Sequence, residues 1–250
     1  MVLVGMLVAF IATRASRTLW RPLAIGASAW AAAVLLKLIW ALPTNAIIRQ
    51  TLLGVAGRSF GRTLYWIYIG LLTGIFECGI TAVIVARTKL RDADWSKSLA
   101  FGTGFGAMEA MVLGFLSLVG IASLLLFHNL LPQETQARVA AQLAGHDAFL
   151  PLMMPIVERA ITLFMHVFSC VAIIFGFRTR QALPWFSLSF AYKSVVDGMA
   201  AWGVEVLKAR ESITGLWQTE MLMIPFALVA LVGLVYLHRR ERAAIFVEPT

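Results

Sequence analysis

The sequence predicts an all-α, polytopic integral membrane protein of about seven transmembrane helices, with its N-terminus outside and its C-terminus cytoplasmic. Hydrophobic residues make up 60% of the 250 positions and charged residues only 14%, against about 45–50% and about 25% in soluble chains. Seven apolar stretches are candidate spans, six of which approach or exceed the roughly 20 residues that a bilayer-crossing helix needs. The basic residues alternate in density from one connecting loop to the next, as the positive-inside rule requires. Helices are expected throughout, because hydrocarbon offers no partner to an unpaired backbone group.

The spans follow in order. Residues 2–13 form a short first one. No Lys or Arg precedes it and no Ala-x-Ala-like cleavage site follows, so it reads as a retained span and not a signal peptide. The others cover residues 22–42, 63–86, 98–127, 152–177, 183–207 and 219–237, the fourth long enough to be tilted or broken. Residues 43–61 form a loop with a helical segment near 46–55. The sizeable loop at 128–150 holds a short amphipathic helix begun near Pro132 and ended by Gly145. Trp20, Trp40, Trp66, Trp95, Trp185 and Trp217 fall near span ends as interfacial anchors. No repeat or low-complexity linker interrupts the chain, so residues 1–250 parse as one integral domain.

The net charge of +8 does not indicate a nucleic-acid partner, because the cations sit at span ends. One set of loops carries Arg14, Arg17 and Arg21, then Arg87, Lys89, Arg91 and Lys97, then Arg178 and Arg180, then Arg239, Arg240 and Arg242. The intervening loops hold only Arg49, Arg58 and Arg62, then Arg138, then Lys208 and Arg210. The richer set is assigned to the cytoplasm, and the bilayer expected is the bacterial inner membrane. Cys78 and Cys170 lie within spans without metal-type spacing and read as free thiols.

Ionisable residues inside the apolar stretches carry the functional information: Glu77, Glu109, Glu158, Arg159, Lys193 and Asp197. Each costs at least ~2.5–3.5 kcal/mol to insert, so each marks a functional or packing site. In the fifth span, Glu158-Arg159-x6-His166 places Arg159 and His166 on one helix face with Glu158 at its edge. That stripe is either a ligand and proton-carrier face or a polar seam that binds neighbouring helices. Lys193 and Asp197, four apart, are helix neighbours that can neutralise one another. Gly102 and Gly106 in Phe101-Gly-Thr-Gly-Phe-Gly-Ala-Met-Glu109 form a small-xxx-small pattern that admits a close helix; no strand or Lys-Ser/Thr makes it a phosphate loop. Four carboxylates face Arg159 and Lys193, with Lys37 a third cation. Protonated carboxyls, a charged His166 or a bound cation would balance them.

The order Phe76-Glu77, then Phe101-Gly-x-Gly-x-Gly-x-x-Glu109, then Glu158-Arg159-x6-His166, then Asp197 resembles the YhfC-like family of intramembrane metalloproteases, relatives of the CAAX-protease and bacteriocin-processing membrane proteins. The resemblance runs over residues 70–198, within a protease-like core of about 63–207. It implies a metal-dependent hydrolytic centre drawn from Glu77, Glu109, Glu158, Arg159, His166 and Asp197. Four positions depart from the pattern it implies: Cys78 replaces a second Glu, Phe105 a His, Ala107 the last Gly of the glycine-rich element, and Lys193 the final His. Three of them, Cys78, Phe105 and Lys193, are places expected to hold a metal or activate water. Catalytic zinc takes three protein ligands, and His166 is the one histidine left at an expected place.

The expectation is therefore a catalytically degenerate scaffold without a cofactor, which binds a membrane peptide or partner subunit in its polar cavity. One alternative is a divergent zinc-dependent protease using Glu77, Glu158 and His166, with Cys78 recruited. Another is a small transporter or proton-conducting subunit, with Glu109, Glu158, His166 and Asp197 as the relay.

Overall fold

The structure, a computed structural model, describes residues 18–127, 149–209 and 212–245, with the separate positions 2, 5, 6, 133 and 136. Helix α1 (Trp20–Ala56) has 37 residues, about 55 Å at the usual rise, well beyond the ~30 Å hydrocarbon layer. Pro22 occupies its first turn, where a missing N–H goes unnoticed. Pro43 lies inside the helix, so the break expected at residue 43 does not occur. One lost backbone bond costs less than opening the chain to hydrocarbon. The neighbouring Thr44 also donates its hydroxyl to the Trp40 carbonyl at 2.7 Å. Gly57, at φ 77°, ends the helix instead.

The chain turns into α2 (Arg58–Thr73), passes through a π-helical turn (Gly74–Cys78) and continues as α3 (Gly79–Arg87). A short 3-10 turn (Lys89–Asp92) leads to α4 (Trp95–Leu126). Asp94 caps α4 by accepting from the Lys97 backbone N–H at 2.9 Å. Three helices follow: α5 (Phe149–Arg178), α6 (Ala182–Val206) and α7 (Ile213–Ile245).

No strand occurs among the described residues. Five segments are long and apolar enough to cross a membrane: α1, the α2–α3 run, and most of α4, α5 and α7. Helix α6 stands where a sixth was expected, at 25 residues, but Ser187, Ser189, Lys193, Ser194 and Asp197 keep it out of that apolar set. The short first span and the amphipathic helix of the 128–150 loop fall almost wholly outside the described residues.

Helix α5 runs through the middle. Every residue from Met165 to Gly176 is buried. One apolar cluster joins α5, α6 and α7 through Phe168, Val171, Phe175, Tyr192 and Leu234. A second joins α1, α3, α4 and α5 through Trp30, Val85, Phe101, Phe105 and Ile174. The glycines of α4 allow this closeness: a Cβ on Gly104 would stand 2.0 Å from the Leu23 carbonyl of α1, and one on Gly102 would stand 2.9 Å from Val167 Cα of α5. Outward-facing Leu35, Ile39, Phe115, Ile121, Leu228 and Val232 present apolar surface to lipid.

Polar clamps close both ends of the bundle. At one end the Arg178 guanidinium donates to the Ala93 carbonyl at 3.0 Å and pairs with Glu241 at 2.6 Å. Glu241 also accepts from the Trp95 N–H at 3.0 Å. At the other end Arg49 and Arg62 reach Glu205 at 2.9 and 3.3 Å, and the Trp66 indole donates to it at 2.8 Å.

Candidate functional site

Two backbone features aim the central carboxylates. The π-helical turn puts Glu77 into the bundle, where its residue is only 4% exposed; such turns widen a helix by one residue and frequently mark functional positions. The glycine-rich face of α4 lets α5 approach until Glu109 meets His166.

Around Glu77, Lys37 of α1 donates to Oε1 at 3.0 Å, while Lys193 of α6 stands 3.0 Å from Oε2. His166 places Nε2 2.8 Å from Glu109 Oε2 and Nδ1 3.4 Å from Lys193 Nζ. An ammonium group only donates, so Nδ1 accepts from Lys193 and the ring hydrogen sits on Nε2, facing Glu109. Glu109 takes a second bond from the Trp30 indole at 3.0 Å and pairs through Oε1 with Arg159 at 2.6 Å. Arg159 also pairs with Glu158, whose side chain is 28% exposed. Lys37 donates to the Thr73 hydroxyl at 3.3 Å, and Thr73 in turn donates to Asp197.

A cavity of about 270 Å³ runs beside this network, lined by Lys37, Glu77, Glu109, His166, Lys193 and Asp197. Behind it, Cys78, Phe105 and Cys170 border a void of about 10 Å³ against His166, at the lower limit for one water. Both thiols are free and buried. The Phe105 ring packs against the imidazole with centroids 5.3 Å apart.

The structure thus gathers Glu77, Glu109, Arg159, His166, Lys193 and Asp197 into one connected network from four helices, with Glu158 at its rim. The Lys193–Asp197 pairing expected from their spacing does not form. The ionic partner of Lys193 is Glu77 on another helix, because the π-helical turn brings that carboxylate closer than the helix neighbour. Sequence reasoning does not single out Trp30 or Thr73, since an indole or a hydroxyl inside an apolar run looks like anchor or core. It also misses Glu220, which opens the last apolar run and is buried with Oε2 unbonded among the described residues.

The donor set suits ion pairing better than a divalent metal. Among the described residues no three His, Cys, Asp or Glu side chains converge as a metal site. The Lys193 ammonium already lies between Glu77 and His166, and Phe105 contributes no donor. Three permanent cations (Lys37, Arg159, Lys193) offset four carboxylates (Glu77, Glu109, Glu158, Asp197), leaving little charge for another cation to neutralise.

No curated protein and no solved structure matches the chain. The model of the YhfC intramembrane metalloprotease family matches residues 1–217. With most of its length matched, this chain belongs to the YhfC intramembrane metalloprotease family.

Proposed function

We propose that this protein is a catalytically degenerate member of its family that binds a membrane peptide or a partner subunit. It is one integral domain with seven spans, counting residues 2–13, and lies in the bacterial cytoplasmic membrane with its N-terminus outside. The carrying observation is the Lys193 ammonium held between Glu77 Oε2 and His166 Nδ1. There it serves as a tethered cation and gives the buried carboxylate its counter-charge without a cofactor. Glu77 holds two cationic partners, Lys37 and Lys193, and Glu109 holds Trp30, Arg159 and His166, so both carboxylates are engaged by the protein's own side chains.

A groove of about 630 Å³ between α2 and α6 supports the binding role. Trp66, Leu71, Phe190, Val195 and Met199 line it together with the small residues Ala191 and Gly198. A bound helix gains packing in the membrane from such small-residue surfaces, where no hydrophobic driving force separates protein from lipid. On the same helix, Lys193 and Asp197 lie next to groove-lining Ser194 and Gly198, so an occupant would sit one helix face away from the network.

The test is photo-crosslinking from Ile67 and Val195, two exposed groove positions, in membranes, followed by purification and identification of the adduct. A discrete adduct that survives His166→Ala and is blocked by Ala191→Trp is the expected result. A partner-free protein at both positions refutes the binding role. A second reading, proton conduction, draws on the unbroken chain of contacts from Asp197 through Glu77 and His166 to Glu158. It predicts pH-driven flux in liposomes that falls at least tenfold in Glu109→Gln, and absence of flux dismisses it.

A further inference from the structure

A second pocket, remote from the polar network, lies at the arginine-rich end of the bundle. It is a groove of about 460 Å³ between the start of α1 and the segment joining α3 to α4. Arg21, Lys89 and Lys97 line it, beside Trp20, Pro22 and Leu90. Lys97 is paired with Asp94 at 2.6 Å. Neither Arg21 nor Lys89 has a carboxylate partner among the described residues; Arg21 lies 5.6 Å from the centroid of the exposed Trp20 ring. Thr88, also in the lining, accepts from the Leu90 N–H and keeps its own hydroxyl hydrogen to donate.

Helices α1 and α4, both long and apolar enough to cross a membrane, begin at Trp20 and Trp95 beside the groove, and tryptophans prefer the level where hydrocarbon gives way to headgroups. Its floor is apolar (Pro22, Ile25, Leu90) and its rim cationic. We propose that this groove holds the phosphodiester headgroup of an anionic phospholipid, with Arg21 and Lys89 on the phosphate and the apolar floor under the glycerol and upper acyl chain. Two cations without a carboxylate partner among the described residues, the Thr88 hydroxyl and an apolar floor beside Trp20 are complementary to that ligand. A zwitterionic lipid would bring its own cation against Lys89, and a free phosphate would leave the floor uncovered.

The experiment titrates the detergent-solubilised full chain with short-chain phosphatidylglycerol, phosphatidylcholine of the same chain length, and inorganic phosphate. Phosphatidylglycerol is expected to bind at least tenfold more tightly than phosphatidylcholine, with no saturable phosphate binding. Arg21→Gln/Lys89→Gln should lose about thirtyfold, some fivefold per removed charge, whereas Arg58→Gln at the opposite end should lose nothing. Equal affinity for the two lipids, full affinity in the double variant, or phosphate binding as tight as the lipid's would each overturn the proposal. Should the double variant not fold, native mass spectrometry of the unaltered protein decides. Selective retention of phosphatidylglycerol supports the site, and equal retention of both lipids refutes it.

Discussion

Lys193 and Glu77 form a buried ion pair at the heart of the polar network. The two charges are both about 95% buried and stand 3.0 Å apart. Breaking a buried pair by removing one partner costs about 3–5 kcal/mol, because the remaining charge is stranded, whereas replacing both by apolar groups is often neutral. Glu77 keeps Lys37 as a second cation at 3.0 Å, so Lys193→Met should destabilise the protein by less than that amount in reversible unfolding, and Lys193→Met/Glu77→Met should cost less than the sum of the two single changes. Additive effects in the double variant would mean that the two groups are not a pair. Trp30→Phe keeps the ring and removes the donor to Glu109. Glu109 Oε2 keeps His166 Nε2 at 2.8 Å, so the expected loss is that of one hydrogen bond to a charged group, about 1.5–3 kcal/mol, and none if water replaces the indole freely. The identities of the buried acids and of His166 are legible in the sequence, since charge inside an apolar run is conspicuous. Their partners are not. Spacing along one helix suggests Asp197 for Lys193, but the partner comes from a different helix whose π-helical turn leaves no signature in composition.

At the scale of elements, the long apolar runs specify the helices, and most observed ends fall within a few residues of the expected ones, α7 starting six residues earlier and ending eight later. The other exception is α1, where Pro43 resembles a terminator; in water it would more readily act as one. The helix continues because the surroundings cannot solvate an open backbone. The glycines of α4 are read correctly as a packing face. Gly104→Ala places a methyl group on the Leu23 carbonyl and should cost about 1–3 kcal/mol by overpacking, whereas Gly120→Ala, with open space around it, should stabilise the helix or leave it unchanged. Equal effects at the two positions would contradict the close α1–α4 contact.

The start of α4 carries a pH signature as well. Burial pushes the Asp94 carboxyl up, but its bonds from the Lys97 side chain and backbone outweigh this and hold it below its ordinary value of 3.8. A carboxylate depressed on folding contributes stability that is present above its ordinary value and is lost as pH falls through the folded value. Asp94→Ala should cost about 1 kcal/mol near neutrality, and the gap from the unaltered protein should close on acidification below 3.8. A gap independent of pH would remove the cap from the account.

At the scale of the whole molecule, five segments able to cross a membrane accompany a network whose three permanent cations, Lys37, Arg159 and Lys193, are each held by an acid. Composition already announces the membrane class, because a chain this poor in charge has nothing else to do with its apolar surface. Family membership is readable from the acids and His166 in order. What that membership means for chemistry depends on Lys193 and Phe105, whose neighbours only the three-dimensional packing reveals. The most direct measurement is the zinc content of the full chain purified from membranes without chelators, beside His166→Ala. A core closed by its own lysine predicts only trace metal in both proteins. Stoichiometric zinc in the unaltered protein, lost on removing the imidazole, would contradict it.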